Sequence, residues 1–196
     1  MKTKLIFATN NQNKVEEIKV VVGDILNVVS LKEAGIDIDI PEPHNTLEAN
    51  ASEKSKTIFT LTNENCFSED TGLEVEVLNG EPGVKSARYA GEGKDFSANV
   101  EKLLGALRGK ENRRARFRTV ISLIWEKQEF LFEGICEGII TNSIMGENGF
   151  GYDPVFIPDG STKTFAEMNL EEKNNYSHRK KATSKLLAFL SQNGKI

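Results

Sequence analysis

Two adjacent carboxylates, Glu69 and Asp70, stand where an apolar run ends, and Thr71 and Gly72 predict a turn directly after them. Neighbouring like charges cost free energy unless a cation or a proton offsets them. The pair is therefore either solvated or part of a site that holds something. Together with Glu42, these acids supply the oxygen ligands that Mg²⁺ prefers, since it takes one or two protein carboxylates and completes its shell with phosphates and water.

A zinc site is not expected in this chain. The two histidines, His44 and His178, are far apart in the sequence, and the two cysteines, Cys66 and Cys136, lack the close spacing of zinc-binding pairs. Both cysteines lie in apolar runs and are interpreted as small buried hydrophobes.

A polar loop, TNNQNK, runs from Thr9 to Lys14 between a predicted strand and a predicted helix. Unpaired backbone amides at a helix N-terminus favour a bound anion, and Lys14 would add a full positive charge. The alternative is an ordinary helix start with Asn13 as the N-cap and Lys14 in solvent. The loop's residues alone leave both interpretations open.

The last predicted helix carries cations at its unfavourable end. With Ser177 as the predicted N-cap, residues 178–181 (His-Arg-Lys-Lys) fall in the first turn, where each positive charge opposes the helix dipole by up to about 1 kcal/mol. An anion bound there would offset the conflict, and Arg179 could hold a phosphate or a carbonyl with its forked donors. A solvated surface turn is the other interpretation.

The segment GFGYDPVF places two aromatic side chains, Phe150 and Tyr152, on either side of Gly151, with Asp153 directly behind. Aromatic faces stack on flat bases, so the segment is a candidate base platform. Aromatic residues in loops also serve as plugs of a hydrophobic core, and that alternative stays open.

The elements that would position these residues alternate between strand and helix, followed by a hairpin and a last helix. This order predicts an α/β fold in which a mixed sheet is flanked by helices, with two lobes and a cleft. No linker divides the chain, so a single domain of residues 1–196 is expected. The predicted strands are 4–9, 27–31, one from 66, 114–125, 129–140 and 153–157, and the predicted helices are 14–23, 46–61, 95–107 and 178–190.

Composition narrows the function classes. The net charge of -4 argues against a generic nucleic-acid binder. The longest apolar runs are shorter than the roughly 18 residues of a membrane span, and the first residues lack the apolar core of a signal peptide. A cytoplasmic protein without nucleic-acid or membrane partners is therefore expected. The combination of candidate phosphate-binding segments, carboxylates suited to Mg²⁺ and a possible base platform predicts a magnesium-dependent enzyme that acts on nucleotides.

The chain resembles the inosine triphosphate pyrophosphatase (Ham1/RdgB-like) family nearly end to end. The resemblance rests on FATNNQNKVEEIK near the start, ANASEKS, SEDTGLEV, GVKSARYAGE, GFGYDPVF, TFAEMNLEEKN and SHRKKA, in that order. It implies a central elongated sheet and a homodimer. It also implies Mg²⁺-dependent cleavage of ITP, dITP and XTP to the monophosphate and pyrophosphate.

The resemblance also implies roles for individual residues. Asp70 corresponds to the general base and a metal ligand, Glu42 to a metal-binding glutamate and Glu69 to the adjacent acid. Asn10 stands where the family commonly has glycine. The implied phosphate-binding residues are Thr9, Asn10, Asn11, Gln12, Asn13, Lys14, Lys54 and Lys173. Thr71 corresponds to a hydroxyl position that contacts the substrate. The implied base-binding residues are Phe150, Gly151, Tyr152 and Asp153, and His178 with Arg179 corresponds to the pair that reads the purine's 6-oxo edge.

Two other functions fit the same residues less well. One is a pyrophosphatase with other preferred substrates, such as modified pyrimidine or canonical triphosphates. The other is a nucleotide sensor without hydrolysis, which would not need a base beside a metal.

Overall fold

The computed structural model describes residues 3–196, and the chain divides into two compact units. The first unit comprises residues up to Asp70, Thr119–Gly134 and Arg179–Ile196, and the second comprises Thr71–Arg118 and Ile135–His178. The strands are β1 (Thr3–Phe7), β2 (Leu26–Ser30), β3 (Cys66–Val75), β4 (Pro82–Gly83), β5 (Arg114–Trp125), β6 (Gln128–Ile140) and β7 (Phe156–Pro158). The helices are α1 (Gln12–Val22), α2 (Leu47–Thr62), α3 (Phe96–Ala106), α4 (Leu170–Asn174) and α5 (His178–Gln192).

The strands form one mixed sheet in the order β2-β1-β3-β5-β6-β7, with β4 paired to β3. Strand β1 is parallel to both β2 and β3, whereas β3–β4 and β6–β7 are antiparallel. A two-residue turn, Glu126–Lys127, joins β5 to β6, and both residues have positive φ. That conformation suits tight antiparallel hairpins because it follows the twist of the strands. The predicted hairpin is confirmed.

The core of the first unit has two sides because successive side chains of a strand point to opposite faces. Leu5 and Phe7 of β1 pack with the apolar stripes of α1 and α5. Their neighbours Ile6 and Ala8 pack with Ile58 of α2 in a separate cluster. Helices therefore cover both faces of β1, with α1 and α5 on one face and α2 on the other.

The second unit has its own core around the apolar stripe of α3. Val100, Leu103 and Leu107 of this segment are buried against residues of β3, β5 and β6, together with several aromatic rings. Phe117 and Phe156 meet edge to face with ring centroids 4.7 Å apart. The unit therefore has its own hydrophobic core.

Two sequence-based predictions of local structure are wrong. Strand β3 runs without interruption through Thr71 and Gly72, where a turn was expected. Gly72 fits a strand here because β4 lies so close that a Cβ would come within 2.6 Å of the Gly83 carbonyl oxygen. The predicted strand 153–157 is a 3₁₀ turn, Asp153–Val155, followed by the short strand β7.

The predicted fold class, an α/β fold with a mixed sheet and flanking helices, is confirmed. The two cysteines are buried and free, as their apolar surroundings indicated. Across residues 3–196, no helix combines the length and the apolar character that crossing a membrane requires.

Candidate active site

The adjacent acids Glu69 and Asp70 point to opposite faces of β3, because strand side chains alternate. Phe67 and Glu69 share the face that packs against α1 and α5, where Phe67 belongs to the corresponding core cluster. Cys66, Ser68 and Asp70 share the face of α2, and Cys66 Sγ and Ser68 Oγ both bond to carbonyl groups of that helix. The nearest cations of the two carboxylates therefore differ, Lys54 for Asp70 and Arg179 with Lys14 for Glu69. That a magnesium ion and a reacting water offset their mutual repulsion stays a prediction.

On the α2 face, Asp70 contacts two polar side chains, Lys54 and Asn50, and Lys54 also contacts Glu42. Lys54 Nζ lies 3.4 Å from Asp70 Oδ1 and 2.6 Å from Glu42 Oε1. Asn50 Nδ2 donates to Asp70 Oδ2 over 3.2 Å. Asn50, Lys54 and Ile58 are spaced four residues apart, which puts them on one face of α2. One face of α2 therefore places the Asn50 amide, the Lys54 ammonium and the buried side chain of Ile58 on the same side of β3.

Burial and charge act in opposite directions on this group. Burial raises the pKa of Asp70 above its ordinary value, and the opposing charges of Lys54 and Lys14 do not fully compensate. Burial would lower the pKa of Lys54, but the charges of Asp70 and Glu42 outweigh it and raise that pKa. Lys54 is therefore a permanent cation between two carboxylates, and Asp70 is a carboxylate whose proton affinity is increased, as suits a general base.

On the opposite face, Glu69 is locked into ion pairs. Arg179 donates from Nε and Nη2 to both Glu69 oxygens, each over 2.8 Å, and donates from Nη1 to Glu17. Lys14 Nζ lies 3.1 Å from Glu69 Oε1. Arg179 is 2% exposed and Glu69 is likewise buried. This arrangement is the planar, two-point pairing for which a guanidinium is suited.

The pKa of Glu69 lies well below its usual range. Burial alone would raise it, but the charges of Arg179 and Lys14 outweigh the burial effect. The pKa of Arg179 is raised, because the charges of Glu69 and Glu17 outweigh the lowering effect of burial. At the start of α5, the anions that offset the positive charge of Arg179 are therefore the protein's own Glu17 and Glu69.

The loop before α1 is ordered by its own side chains. Asn11, and not Asn13, is the N-cap, with its side chain accepting from the Lys14 amide over 3.3 Å. Thr9 Oγ1 accepts from the Asn11 amide, and Asn10 donates to the Ile38 carbonyl over 2.8 Å. Asn13 and Gln12 lie in the first turn of α1. The Lys14 ammonium lies at Glu69 and is not in open solvent.

A magnesium ion fits the chemistry of the α2 face. Glu42 and Asp70 already converge on one cation, the Lys54 ammonium, and both offer hard carboxylate oxygens. Within residues 3–196 there is no cluster of three or more metal-ligating side chains. Two carboxylates are nevertheless enough for an ion that takes its remaining ligands from phosphates and water. The role of Glu69 as the adjacent acid of the metal site stays a prediction, and in this structure its oxygens contact Arg179 and Lys14.

In the second unit, the predicted base-binding segment is built around Asp153. Asp153 Oδ2 accepts from the Phe150 amide over 2.9 Å and from Lys173 Nζ over 2.6 Å, and both charged side chains are buried. Gly149 has a φ of 74°, and a Cβ there would lie 2.1 Å from Asp153 Oδ2. Only glycine fits this close approach without strain, so Gly149 and Asp153 together set the shape of the loop.

The aromatic residues of this unit differ in exposure. Tyr152 is buried in the core and donates its hydroxyl to the Ser86 carbonyl over 2.8 Å, and burial raises its pKa. Phe150 is half-buried, with Lys173 Nζ 5.2 Å from its ring centre. His178 is buried and stacks on Phe117 with ring centroids 4.6 Å apart. Of these three rings, Phe150 is the one with a partly accessible face.

Several predicted substrate-binding residues stay untested. Thr71 continues β3 directly after Asp70, and Gly151 lies half-buried between Phe150 and Tyr152. The chain divides between His178 and Arg179, which belong to different units. The roles assigned to Thr71, Gly151, His178 and Arg179 at the substrate remain predictions.

Two residues of these clusters were not singled out from the sequence. Asn50 is wholly buried inside α2, and Glu17 is 5% exposed within α1. Each carried a signal, because polar side chains of low helix propensity or full charge rarely occupy the buried face of a helix without a partner. Glu17 stands directly beside Ile18 of the apolar stripe, and Asn50 stands one turn before Lys54.

Comparisons with known proteins identify the family of this chain. The sequence model of the Ham1 family matches residues 5–189. The chain is 49% identical over 186 residues to the dITP/XTP pyrophosphatase of Flavobacterium psychrophilum, covering 95% of this chain and 98% of that protein. It is 50% identical over 188 residues to the dITP/XTP pyrophosphatase of Porphyromonas gingivalis, covering 95% and 97%.

Solved structures give the same result. The Ham1 protein of Staphylococcus aureus superposes with a TM-score of 0.87 at 42% identity, covering 97% of this chain and 100% of that one. A HAM1 protein from Coxiella burnetii superposes with a TM-score of 0.88 at 32% identity, covering 97% and 99%. With a match that spans almost the whole chain in both sequence and structure, this protein belongs to the Ham1 family.

Proposed function

We propose that this protein is a nucleoside triphosphate pyrophosphatase that hydrolyses the non-canonical purine nucleotides dITP, XTP and ITP to the monophosphate and pyrophosphate. The observation that carries the proposal is Asp70, a buried carboxylate of raised pKa held by Asn50 and Lys54 beside Glu42. The family membership supports it, since relatives that are about half identical over almost the whole chain are named dITP/XTP pyrophosphatases.

Asp70 supplies the base in this proposal. Its increased proton affinity lets it orient a water molecule and accept a proton while that water attacks the α-phosphorus. Asn50 holds one of its oxygens, which leaves the other directed toward Lys54. The carboxylate can therefore turn little and presents a defined face to the reacting water.

Cations of the chain balance the charge of the phosphates. Lys54 is permanently protonated between its two acids, and Lys14 lies at the start of α1, whose N-terminus adds a favourable dipole for anions. Fixed positive charge that meets the developing charge of a leaving pyrophosphate lowers the barrier. Lys54 and Lys14 are the residues to which we assign this role.

Mg²⁺ is part of the proposal, with Glu42 and Asp70 as the residues that would hold it. When bound, the ion would neutralise phosphate charge and act as a Lewis acid. Because Lys54 pairs with the same two carboxylates, it also keeps them compensated when no metal is bound.

Recognition of the base stays a prediction. Phe150 is the ring with an accessible face for stacking. A guanidinium such as that of Arg179 only donates hydrogen bonds, so it fits the 6-carbonyl of hypoxanthine and xanthine and not the amino group of adenine. In this structure that guanidinium is engaged by Glu69 and Glu17. A homodimer and a cytoplasmic location are also proposed and follow from the resemblance and the composition.

The experiment is pyrophosphate release from dITP, XTP, ITP, ATP and GTP, each with and without Mg²⁺. Strong Mg²⁺-dependent release from the first three with little from ATP and GTP is expected. Equal release from all five would be consistent with Asp70 as the general base but would contradict the proposed selectivity for the 6-oxo group. Nucleotide binding without any pyrophosphate release would favour a nucleotide sensor over an enzyme. The same assay on the variant Asp70→Asn tests the proposed base. Its matched control is Asp159→Asn, since Asp159 is an exposed acid that pairs with Arg114.

A further inference from the structure

Asn50 is a buried amide whose hydrogen bonds reach beyond its own helix. It is wholly buried and stands four residues after Thr46, the N-cap of α2. A buried polar side chain destabilises the fold unless hydrogen bonds satisfy it. Asn50 meets that requirement with three bonds, two to the backbone of His44 and one to Asp70.

The two backbone bonds hold the segment that carries Glu42. Asn50 Oδ1 accepts from the His44 amide over 2.9 Å, and Nδ2 donates to the His44 carbonyl over 3.2 Å. This segment has no regular secondary structure and contains Pro41 and Pro43, which donate no backbone hydrogen bonds. The two-point contact with Asn50 therefore anchors a loop that has few backbone bonds of its own.

The third bond connects the same amide to the proposed base. Asn50 Nδ2 donates to Asp70 Oδ2, while Lys54 lies at the other oxygen, Oδ1. Lys54 ends in a single ammonium on a flexible stem. The planar amide of Asn50 is held at both of its ends by one backbone residue, which makes it the more rigid reference for Asp70.

We propose that Asn50 is a positioning residue that sets the spacing between Glu42 and Asp70. It does so by fixing the loop of Glu42 with two bonds and the carboxylate of Asp70 with the third. The proposal rests on the function proposed above, in which these two carboxylates hold the metal and Asp70 is the base. Outer contacts of this kind change metal affinity or activity by about 10- to 100-fold when removed.

The chain contains a matched control in Asn99 of the second unit. Asn99 also stands four residues after its helix N-cap, Asp95, and is also buried. Its side chain accepts from the Ala90 amide over 2.6 Å and donates to the Ala87 carbonyl over 3.0 Å. It thus fixes a loop in the way that Asn50 does, and the structure records no acid among its partners.

The experiment compares Asn50→Leu and Asn50→Ser with Asn99→Leu and Asn99→Ser. Leucine keeps the branched shape in a somewhat larger side chain without the hydrogen bonds, and serine provides a second, smaller variant if a leucine variant does not fold. Stability is measured by urea unfolding, kcat and KM by dITP hydrolysis, and metal affinity by titrating the nucleotide-free protein with Mn²⁺. For the Asn50 variants we expect a kcat reduced about 10- to 100-fold, weaker Mn²⁺ binding and a KM within about threefold of the parent.

The Asn99 variants separate positioning from stability. They should lose comparable stability, because they also free two backbone groups, and they should keep kcat and Mn²⁺ affinity. Equal kcat and equal Mn²⁺ affinity in the two series would overturn the proposal. If the parent protein hydrolyses none of the triphosphates, the proposed function fails, and unequal Mn²⁺ affinity between the series would still support the positioning role.

Discussion

The two faces of strand β3 treat neighbouring carboxylates in opposite ways. Glu69 accepts two hydrogen bonds from Arg179 and a third contact from Lys14, and its pKa is held well below the usual range. Asp70 is also buried, yet its nearest cation is Lys54 at 3.4 Å, and its pKa is raised. Depth of burial is similar, so the direction depends on the neighbouring charges, which are two close cations at Glu69 and, at Asp70, weaker compensation by cations together with the like charge of Glu42.

The opposite pKa shifts indicate different roles for the two carboxylates. A carboxylate with both oxygens bound to a guanidinium stays ionised and holds elements together. A carboxylate bound by one amide and by one ammonium at 3.4 Å, with a raised pKa, can exchange a proton, which a general base must do. The comparison therefore assigns the structural anion to Glu69 and the reactive one to Asp70. Three substitutions and one pH series test that assignment.

Asp70→Asn should reduce turnover by about a hundred- to ten-thousand-fold, because the amide cannot accept the proton of the attacking water. Its free energy of unfolding should stay within about 1 kcal/mol of the parent or increase, since replacing a buried carboxylate of raised pKa removes a desolvation cost. Pyrophosphate release and urea unfolding measure the two quantities. A variant that keeps its turnover would exclude Asp70 as the base.

Glu69→Gln should lower the free energy of unfolding by about 3 to 5 kcal/mol, because it leaves the buried guanidinium of Arg179 with fewer negative partners. Urea unfolding of the variant against Glu64→Gln provides the comparison. Glu64 belongs to an ion pair with Lys4 that is about half exposed. Such pairs contribute about 0 to 1 kcal/mol. Similar losses in both variants would contradict the structural role of Glu69.

Lys54→Met should raise the pKa of Asp70 further, because the lysine charge that lowers it is lost. Since the base acts in its ionised form, the acidic limb of the kcat/KM profile should move to higher pH. Hydrolysis of dITP measured across a pH series gives this limb. Lys56→Met is the control, because Lys56 is exposed on the same helix and pairs with Glu129. An unmoved acidic limb would mean that Lys54 does not act on Asp70.

The stability contributed by Glu69 should depend on pH in a defined direction. Its pKa is lower in the folded protein than the value of about 4.3 expected in the unfolded chain. The unfolded state therefore takes up a proton first on acidification, and this stability is present above about pH 5 and is lost as the pH falls. Glu69→Gln should flatten the acidic side of a plot of unfolding free energy against pH. An unchanged slope would assign the acid sensitivity to other groups.

Local patterns predicted most of the secondary structure. The helices at 14–23, 46–61, 95–107 and 178–190 and the hairpin of β5 and β6 were all recognisable, because apolar periodicity and turn residues act over a few positions. The errors arose where tertiary contacts override such patterns. Gly72 was interpreted as part of a turn but lies in a strand because of the approach of β4.

The candidate site was predictable in part. The sequence pointed to Glu42, Asp70, Lys14 and Lys54, and the structure brings Lys54 to both acids. The sequence did not point to Asn50 and Glu17, because a helix is recognised from the spacing of its apolar residues, and a single polar residue among them carries no information about its partner. The sequence left Tyr152 open as a base platform or a core residue, and it is buried in the hydrophobic core of the second unit.

Local periodicity and motifs were enough to predict most of the helices and strands, the α/β class, the family and the acids that could do chemistry. The cations that pair with each acid depend on packing between segments that are distant in the sequence. Arg179 reaches Glu69 across 110 positions and Glu17 across 162, and no short-range pattern encodes such a pairing. The alternation of a strand sends Glu69 and Asp70 to different faces, and the helix packed on each face then sets the charge and the proton affinity of its acid.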